Sequence, residues 1–179
     1  MSLKSLNCLP AFDKKTKLLH AVIETPKRSP NKYAYDPDLG CITLGKTLPE
    51  GMSFPFDFGF IPSTLGDDGD PLDILVLMDF PAVAGCLVKA RLLGVIQAEQ
   101  KDKGKDWQRN DRFVAVAERS RMLADVRSLD DLRSGLVDEI TAFFAQYNAV
   151  DGKGFRCVGI GGEKQARALI ENGRRKFKG

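Results

Sequence analysis

Histidine and paired cysteines are scarce in this sequence. His20 is the single histidine among 179 residues, and the four cysteines include no C-x-x-C pair. Structural zinc sites require clusters of these two residue types at short spacing, and disulfide frameworks require cysteines densely placed in a short chain. The sequence therefore signals neither kind of site, and we expect a protein of the reducing cytoplasm.

Long apolar runs are also missing. The N-terminal stretch MSLKSLNCLPAFDKKTK contains no apolar core of about 7 to 15 residues, so it lacks the pattern of a signal peptide. No later stretch approaches the ~20 apolar residues that span a membrane. We therefore expect no membrane association.

A large excess of one charge is absent as well. The net charge of +3 is too small to indicate a polyanionic partner by itself. Basic residues gather in the loop 100–112 and in the last predicted helix, but no aromatic platform for stacking nucleic-acid bases is identifiable. The pattern disfavours nucleic-acid binding and favours solvated basic faces.

Apolar residues make up 43% of the chain, which is enough for one domain covering residues 1–179. Short apolar runs follow one another from Lys17 to about Glu118 with no helical period between them. The runs are LLHAVIE, KYAYD, CITLGK, MSFPFDFGFI, LDILVLMDF, CLVKARLLGVIQ and RFVAVAE. This pattern predicts an antiparallel barrel or sandwich, with a hairpin turn over 36–40 and a bend at Gly94.

Helical spacing begins after Ser128. Ser128 and Asp131 form the pattern of an N-terminal cap, and apolar residues then recur at helical spacing from Leu132 to Tyr147. A short strand, GFRCVGI, and a second helix from about Gly162 to Lys176 follow. We expect both helices to pack outside the strands, in a mainly β (α+β) fold.

Four carboxylates fall within eight residues, in the stretch GDDGDPLD. On a straight strand Asp73 would point away from Asp68 and Asp70. Gly69 permits unusual backbone dihedrals and Pro71 fixes its own φ, so a bend here could aim all three carboxylates at one point. Converging carboxylates repel one another, and a hard divalent cation such as Mg²⁺ relieves that repulsion.

A solvated acidic turn that caps a strand is the alternative interpretation, because Asp and Gly are common in turns. Asp67 is not one of the three carboxylates expected to converge, and we expect its side chain to be solvated.

Residues 68–74, DGDPLDI, resemble the signature of the family I soluble inorganic pyrophosphatases, Asp-x-Asp-Pro-apolar-Asp-apolar. Further segments follow in the family's order over roughly residues 17–160: VIETP, NKYAYD, FGFIPSTL, FPAVAGCLVKARLLGVI and FFAQYN. The resemblance implies a five-stranded OB-like barrel with flanking strands and two C-terminal helices. It also implies hydrolysis of pyrophosphate to two phosphates, several bound Mg²⁺ ions and a homo-oligomer.

The same resemblance implies roles for individual residues. Asp70 would accept a proton from the attacking water and would share the metal site with Asp68 and Asp73. The other residues that it implicates are Asn110 and Asp102 (or Asp106) as metal ligands, Lys32, Lys46, Arg112 and Tyr147 as phosphate-binding groups, and Glu24 as support for the metal's waters.

Some positions depart from the family's pattern. Ala34 stands where an acidic residue is expected, Phe58 lacks a tyrosine hydroxyl, Asn110 replaces a carboxylate, and Asn148 replaces a lysine. Lys46 replaces an arginine that could bind phosphate with two parallel hydrogen bonds. These changes predict attenuated turnover. The alternative is a non-catalytic relative that binds metal and phosphate or phosphoanhydride ligands.

Overall fold

The computed structural model of the protein describes residues 5–178. Its elements are β1 (Leu19–Thr25), β2 (Asn31–Asp36), β3 (Cys41–Thr47), β4 (Asp57–Phe60), β5 (Asp73–Leu77), β6 (Leu87–Lys101), β7 (Gln108–Arg109), β8 (Arg112–Ala117), α1 (Leu136–Val150), β9 (Gly154–Gly162) and α2 (Glu163–Lys176). No helix within the described part is long and apolar enough to cross a bilayer.

Five strands close into a ring in the order β1, β4, β5, β8 and β6, because β6 pairs back onto β1. The 15-residue β6 is long enough to pair also with β7 and β9, which extend the sheet beyond the ring. The mainly β class and the five-stranded barrel predicted from the sequence are confirmed.

The hairpin predicted over 36–40 is confirmed. Strands β2 and β3 pair antiparallel from Asn31 opposite Thr47 to Asp36 opposite Cys41, with a register shift between Lys32 and Tyr33, as a separate two-stranded sheet. Gly40 has φ +66° in the turn, a left-handed conformation that glycine adopts without steric cost.

The expectation that all strands are antiparallel is wrong for one pair. Strands β5 and β8 run parallel, with Asp73 beside Arg112 and Leu77 beside Val116. These two strands are not consecutive, and β6 lies between them in the chain and pairs antiparallel to β8. The parallel register matters for function because it places an acidic and a basic residue side by side where both strands begin.

The predicted bend at Gly94 is present as a register shift between Leu92 and Gly94. A Cβ atom at Gly94 would lie 2.4 Å from the carbonyl oxygen of Gly161 on β9. Only glycine therefore allows β9 to approach β6 this closely at the bend.

The first helix begins later than predicted. Ser128 and Asp131 do form a reciprocal cap, but the turn that they cap is a 3-10 turn over Leu129–Asp131. The chain then passes through Gly135 at φ +78°, and α1 starts only at Leu136. The second helix lies close to its predicted bounds.

Both faces of the central strands are buried. Ile74 and Val76 of β5 belong to an apolar core that includes α2, whereas Leu75 and Leu77 belong to a second core that includes α1. Each helix therefore covers one apolar cluster, and the alternation along β5 divides its side chains between the two.

Asp57 is a fully buried carboxylate at the start of β4. Its Oδ1 accepts a hydrogen bond from the Ala82 amide at 2.9 Å, while its Oδ2 has no hydrogen-bond partner among residues 5–178. Burial raises the pKa of Asp57, because the charged form is poorly solvated.

We predict that Asp57→Asn stabilises the protein at pH 8. Since the folded-state pKa of Asp57 is raised above its unfolded value, the folded protein binds this proton more tightly. The contribution of Asp57 to stability should therefore be lost as pH rises from about 4, the unfolded pKa of Asp. Urea unfolding from pH 4 to pH 8 should show the variant gaining stability relative to the wild type as pH rises.

Asp79→Asn is the matched control. Hydrogen bonds from the Ser120 hydroxyl and the Arg121 amide lower the pKa of Asp79, so the same substitution should destabilise the protein at pH 8. An Asp57→Asn protein that is less stable than the wild type at pH 8 would contradict the interpretation.

Candidate active site

A pocket of about 430 Å³ lies beside the parallel starts of β5 and β8. Its lining combines both charges with aromatic side chains. The carboxylates that line it are Glu24, Asp68, Asp70, Asp73 and Asp151, and the cationic residues are Lys32, Arg112 and Lys153. A pocket with this lining suits a small, highly charged ligand that is held together with cations.

The acidic loop, residues 65–72, supplies two of these carboxylates, and Asp73 follows as the first residue of β5. Gly69 has φ +91°, the Gly66 amide donates to the Asp70 carbonyl at 2.7 Å, and the Asp70 amide donates to Asp68 Oδ1 at 3.2 Å. The bend expected from the sequence is therefore present. It brings all three carboxylates of the motif to one pocket.

The carboxylates of the motif oppose one another's ionisation. Burial raises the pKa of Asp68, and the charges of Asp73 and Asp70 raise it further. Burial likewise raises the pKa of Asp73, against the opposing effect of Arg112. Charge repulsion in this pocket is thus only partly compensated by the protein's own cations.

Arg112 is the cation closest to the motif. Its side chain is 4% exposed, and its Nη1 lies 2.7 Å from Asp73 Oδ2. The same nitrogen donates to the side-chain and main-chain oxygens of Asn110, and the guanidinium carbon lies 4.8 Å from the Phe144 ring centre. Arg112 Nε is also buried, and it has no hydrogen-bond partner within the described part of the chain.

Glu24 and Lys32 form a second charge pair in the pocket. Lys32 Nζ lies 3.4 Å from Glu24 Oε2 and donates to the Tyr33 carbonyl at 2.8 Å. Glu24 Oε1 accepts a hydrogen bond from the Tyr35 amide at 2.7 Å. This carboxylate therefore joins β1 to β2 and orients the lysine.

Lys46 and Asp102, which the sequence implicated, do not line the pocket. Lys46 pairs with Asp151 and lies 3.8 Å from the ring centre of Tyr147, which does line it. Asp102 lies between Lys153 Nζ at 3.0 Å and Lys105 Nζ at 3.1 Å. Both residues therefore stand at the rim, each held by an opposite charge.

Asp106, the alternative to Asp102, is exposed and does not line the pocket. Asn110 does line it, but Arg112 already engages its side-chain oxygen.

Sequence reasoning missed Asp151 and Lys153. Both line the pocket from the turn after α1, in which Gly152 has φ +68°. Their signal in the sequence was weak, because a charged residue on either side of a turn glycine is ordinary loop composition. The Asp67 side chain is exposed, as expected, and it also pairs with Lys176 of α2.

Residues 21–178 match a protein family described as "Pyrophosphatase: Inorganic pyrophosphatase". The chain is similar to the inorganic pyrophosphatase of Thermus thermophilus, with 40% identity over 167 residues and 93% of each chain covered. It is also 35% identical to that of a Synechocystis strain over 173 residues, which are 97% of this chain and 99% of the relative. The chain belongs to the inorganic pyrophosphatase family.

Solved structures of the family agree with this assignment. The crystal structure of the Thermus thermophilus inorganic pyrophosphatase aligns with a TM-score of 0.88 at 36% identity, covering 98% of this chain and all of that one. An inorganic pyrophosphatase from Coxiella burnetii aligns with a TM-score of 0.85 at 32% identity, over 95% of this chain and all of that one.

Membership of this family implies a divalent metal cofactor, and the donors in the pocket fit one. Asp68, Asp70 and Asp73 supply hard oxygen atoms, and their mutual repulsion is the feature that a bound cation relieves. Among residues 5–178, no three metal-ligating side chains are gathered tightly enough to close around one ion. The carboxylates surround the pocket instead of contacting one another.

We predict that Arg112→Met destabilises the metal-free protein by about 3 kcal/mol. Methionine keeps an apolar stem beside Phe144 but leaves Asp73 without its counter-charge. Removing one partner of a buried pair typically costs ~3–5 kcal/mol, and the 22% exposure of Asp73 places this pair at the low end. Urea unfolding in chelator-treated buffer measures the loss.

Arg133→Met is the control, because Arg133 pairs with Glu139 on the surface and an exposed pair contributes less than about 1 kcal/mol. If both variants lost the same small amount of stability, the buried pair would contribute no more to stability than the exposed one, which would contradict this prediction.

Proposed function

We propose that this chain hydrolyses inorganic pyrophosphate to two phosphates with Mg²⁺ as cofactor. Family membership supports the reaction. The observation that carries the proposal is the meeting of the three motif carboxylates with Lys32 and Arg112 in one pocket. Acidic and basic groups are both needed there, because the substrate and the cofactor carry opposite charges.

In this proposal Asp68, Asp70 and Asp73 hold the metal. The cofactor supplies neutralisation of the substrate's negative charge and a more acidic water. Glu24 faces the same pocket and supports the metal's waters. Asp70 accepts the proton of the attacking water, a role that suits it because no side-chain hydrogen bond or ion pair engages its carboxylate within the described residues.

Arg112, Lys32 and Tyr147 bind the phosphate oxygens. The buried Arg112 presents a planar set of donors, and Nε is still unpartnered. Lys32 is a flexible point charge, oriented by Glu24 and by the ring of Phe58, 4.8 Å from its Nζ. When the substrate binds, Arg112 leaves Asp73 and Lys32 leaves Glu24, and each cation then contacts a phosphate oxygen.

Lys46 is less well placed than Lys32 and Arg112 to contact phosphate, and Asp102 is less well placed than the motif carboxylates to contact a metal. Lys46 reaches a phosphate only after it leaves Asp151, and Asp102 reaches a metal only after it leaves Lys153. We propose that both act at the rim, Lys46 on the substrate and Asp102 on a metal. Asn110 contributes only a carbonyl oxygen, for which Arg112 competes.

The departures from the family's pattern support a reduced rate. Asn148 carries no charge to offer the substrate. It is 2% exposed, and its amide group already donates to the Phe144 carbonyl at 2.8 Å. Phe58 is buried against Phe54 and Phe144 and offers no hydroxyl. Loss of one transition-state donor typically costs about 2.7–4 kcal/mol, and several losses are not additive.

The wider biological setting also belongs to the proposal. The scarcity of paired cysteines favours the cytoplasm, and resemblance to the family favours a homo-oligomer.

We predict that purified protein releases phosphate from pyrophosphate in the presence of Mg²⁺ and that Asp70→Asn lowers kcat at least ~10²-fold. Loss of a positioned general base typically costs ~10²–10⁴-fold. A chelator should abolish the activity, and excess Mg²⁺ should restore it. A colorimetric phosphate assay measures all three results.

Asp125→Asn, an exposed loop substitution of the same type, is the control and should retain the wild-type rate. Wild-type turnover no faster than that of Asp70→Asn would sink the enzymatic proposal and favour a protein that binds without cleaving.

A further inference from the structure

The last turn of α2 lies directly against the acidic loop. The Leu65 amide donates to the Gly173 carbonyl at 3.0 Å, a bond between the loop and the helix backbone. A Cβ atom at Gly173 would lie 2.7 Å from Leu72 Cδ1 and 3.3 Å from the Leu65 carbonyl oxygen. Glycine at this helical position therefore permits a contact that any side chain would displace.

A second contact anchors the outer side of the loop. Lys176, one helical turn after Gly173, forms an ion pair with Asp67. Gln108 Nε2 donates to the Asp67 carbonyl at 2.8 Å from the opposite side. Asp67 is thus held through both its side chain and its backbone, immediately before the metal-site residue Asp68.

The C-terminal end of the loop is also tied to the barrel, because the Leu72 amide donates to Thr64 Oγ1 at 3.1 Å and the Ile61 amide donates to the Leu72 carbonyl at 2.9 Å. A second pocket of about 290 Å³ lies on its far side, lined by residues of the loop, by the segment 109–111 and by α2. Asp68 and Asp73 border both pockets, so this part of the chain is a thin partition between two cavities. Between Leu65 and Leu72, the position of this partition depends on its few contacts with α2 and with Gln108.

We propose that Gly173 and Lys176 are positioning residues that hold the acidic loop in its metal-binding arrangement. The inference rests on the proposed function, since it concerns the same carboxylates. Neither residue lines the pocket that holds the motif carboxylates. Both act through Leu65, Leu72 and Asp67, and they oppose the tendency of the repelling carboxylates to spread apart.

Gly173→Ala should be harmful to metal binding, although the same substitution ordinarily favours a helix. Alanine in place of glycine ordinarily stabilises a helix by up to about 1 kcal/mol. Here the added methyl pushes on Leu72, whose neighbour in the chain is Asp73. The substitution should therefore weaken metal binding even where the helix is unharmed.

Calorimetric titration of the full-length, substrate-free protein with Mg²⁺ tests this directly. Lys176→Gln should raise the dissociation constant about two- to fivefold, the range of an exposed ion pair. Gly173→Ala should raise it about tenfold or more, as do losses of residues that support metal ligands. Lys176→Arg should bind Mg²⁺ like the wild type.

Controls come from the other end of the same helix. Gly162→Ala adds a methyl group where no atom lies within 4 Å, and Lys164→Gln removes an exposed charge from the first turn of α2. Both should bind Mg²⁺ as the wild type does. Thermal unfolding by circular dichroism identifies any variant that is misfolded.

A double-mutant cycle isolates the contribution of the ion pair between Asp67 and Lys176 to Mg²⁺ binding. Asp67→Asn and Lys176→Gln should each weaken Mg²⁺ binding, and the double variant should be no worse than the weaker-binding single variant. In the pyrophosphate assay the affected variants should need more Mg²⁺ but recover wild-type kcat at saturation.

Wild-type binding by the folded Gly173→Ala and Lys176→Gln proteins would overturn the positioning role and leave the proposed function standing. A lower kcat at saturating Mg²⁺ with unchanged Mg²⁺ affinity would also overturn it. If the wild type itself bound no Mg²⁺, the proposed function would fail together with this inference.

Discussion

The ion pair between Arg112 and Asp73 is the interaction around which the pocket is organised. It exists because β5 and β8 begin side by side in parallel, so that a carboxylate and a guanidinium face each other at the barrel's edge. The pair fixes one carboxylate of the motif and places a permanent cation in the pocket. Without it, Asp73 would be buried beside Asp68 and Asp70 with less compensation for their repulsion.

The other two cationic residues that line the pocket in the described part of the chain, Lys32 and Lys153, are likewise paired with carboxylates, and so is Lys46 at the rim. When pyrophosphate binds, its oxygens must therefore replace these carboxylates as partners of the cations. Such an exchange lowers the net gain in free energy from each new contact between a cation and the substrate.

The sequence predicted the parts of the structure that depend on local chemistry. The bend at Gly69, the hairpin turn at Gly40 and the shift at Gly94 follow from the backbone freedom of glycine and were placed correctly. The late start of α1 was missed because the cap at Ser128 is locally genuine, yet Gly135 interrupts the chain before the helix begins.

The long-range features could not be predicted in the same way. The parallel pairing of β5 with β8 is set by the path of β6 around the ring. The pairing of Asp67 with Lys176 joins residues more than a hundred positions apart, and no short motif encodes it. The motif carboxylates were recognised from the sequence, whereas the contacts that hold and neutralise them required the fold.

Anomalous diffraction from crystals of the protein grown with Mn²⁺ would locate the metal independently of turnover. We expect anomalous peaks within coordination distance of carboxylate oxygens of Asp68, Asp70 and Asp73. Peaks confined to the rim at Asp102, or no peak in the pocket at saturating Mn²⁺, would contradict metal binding by the motif carboxylates.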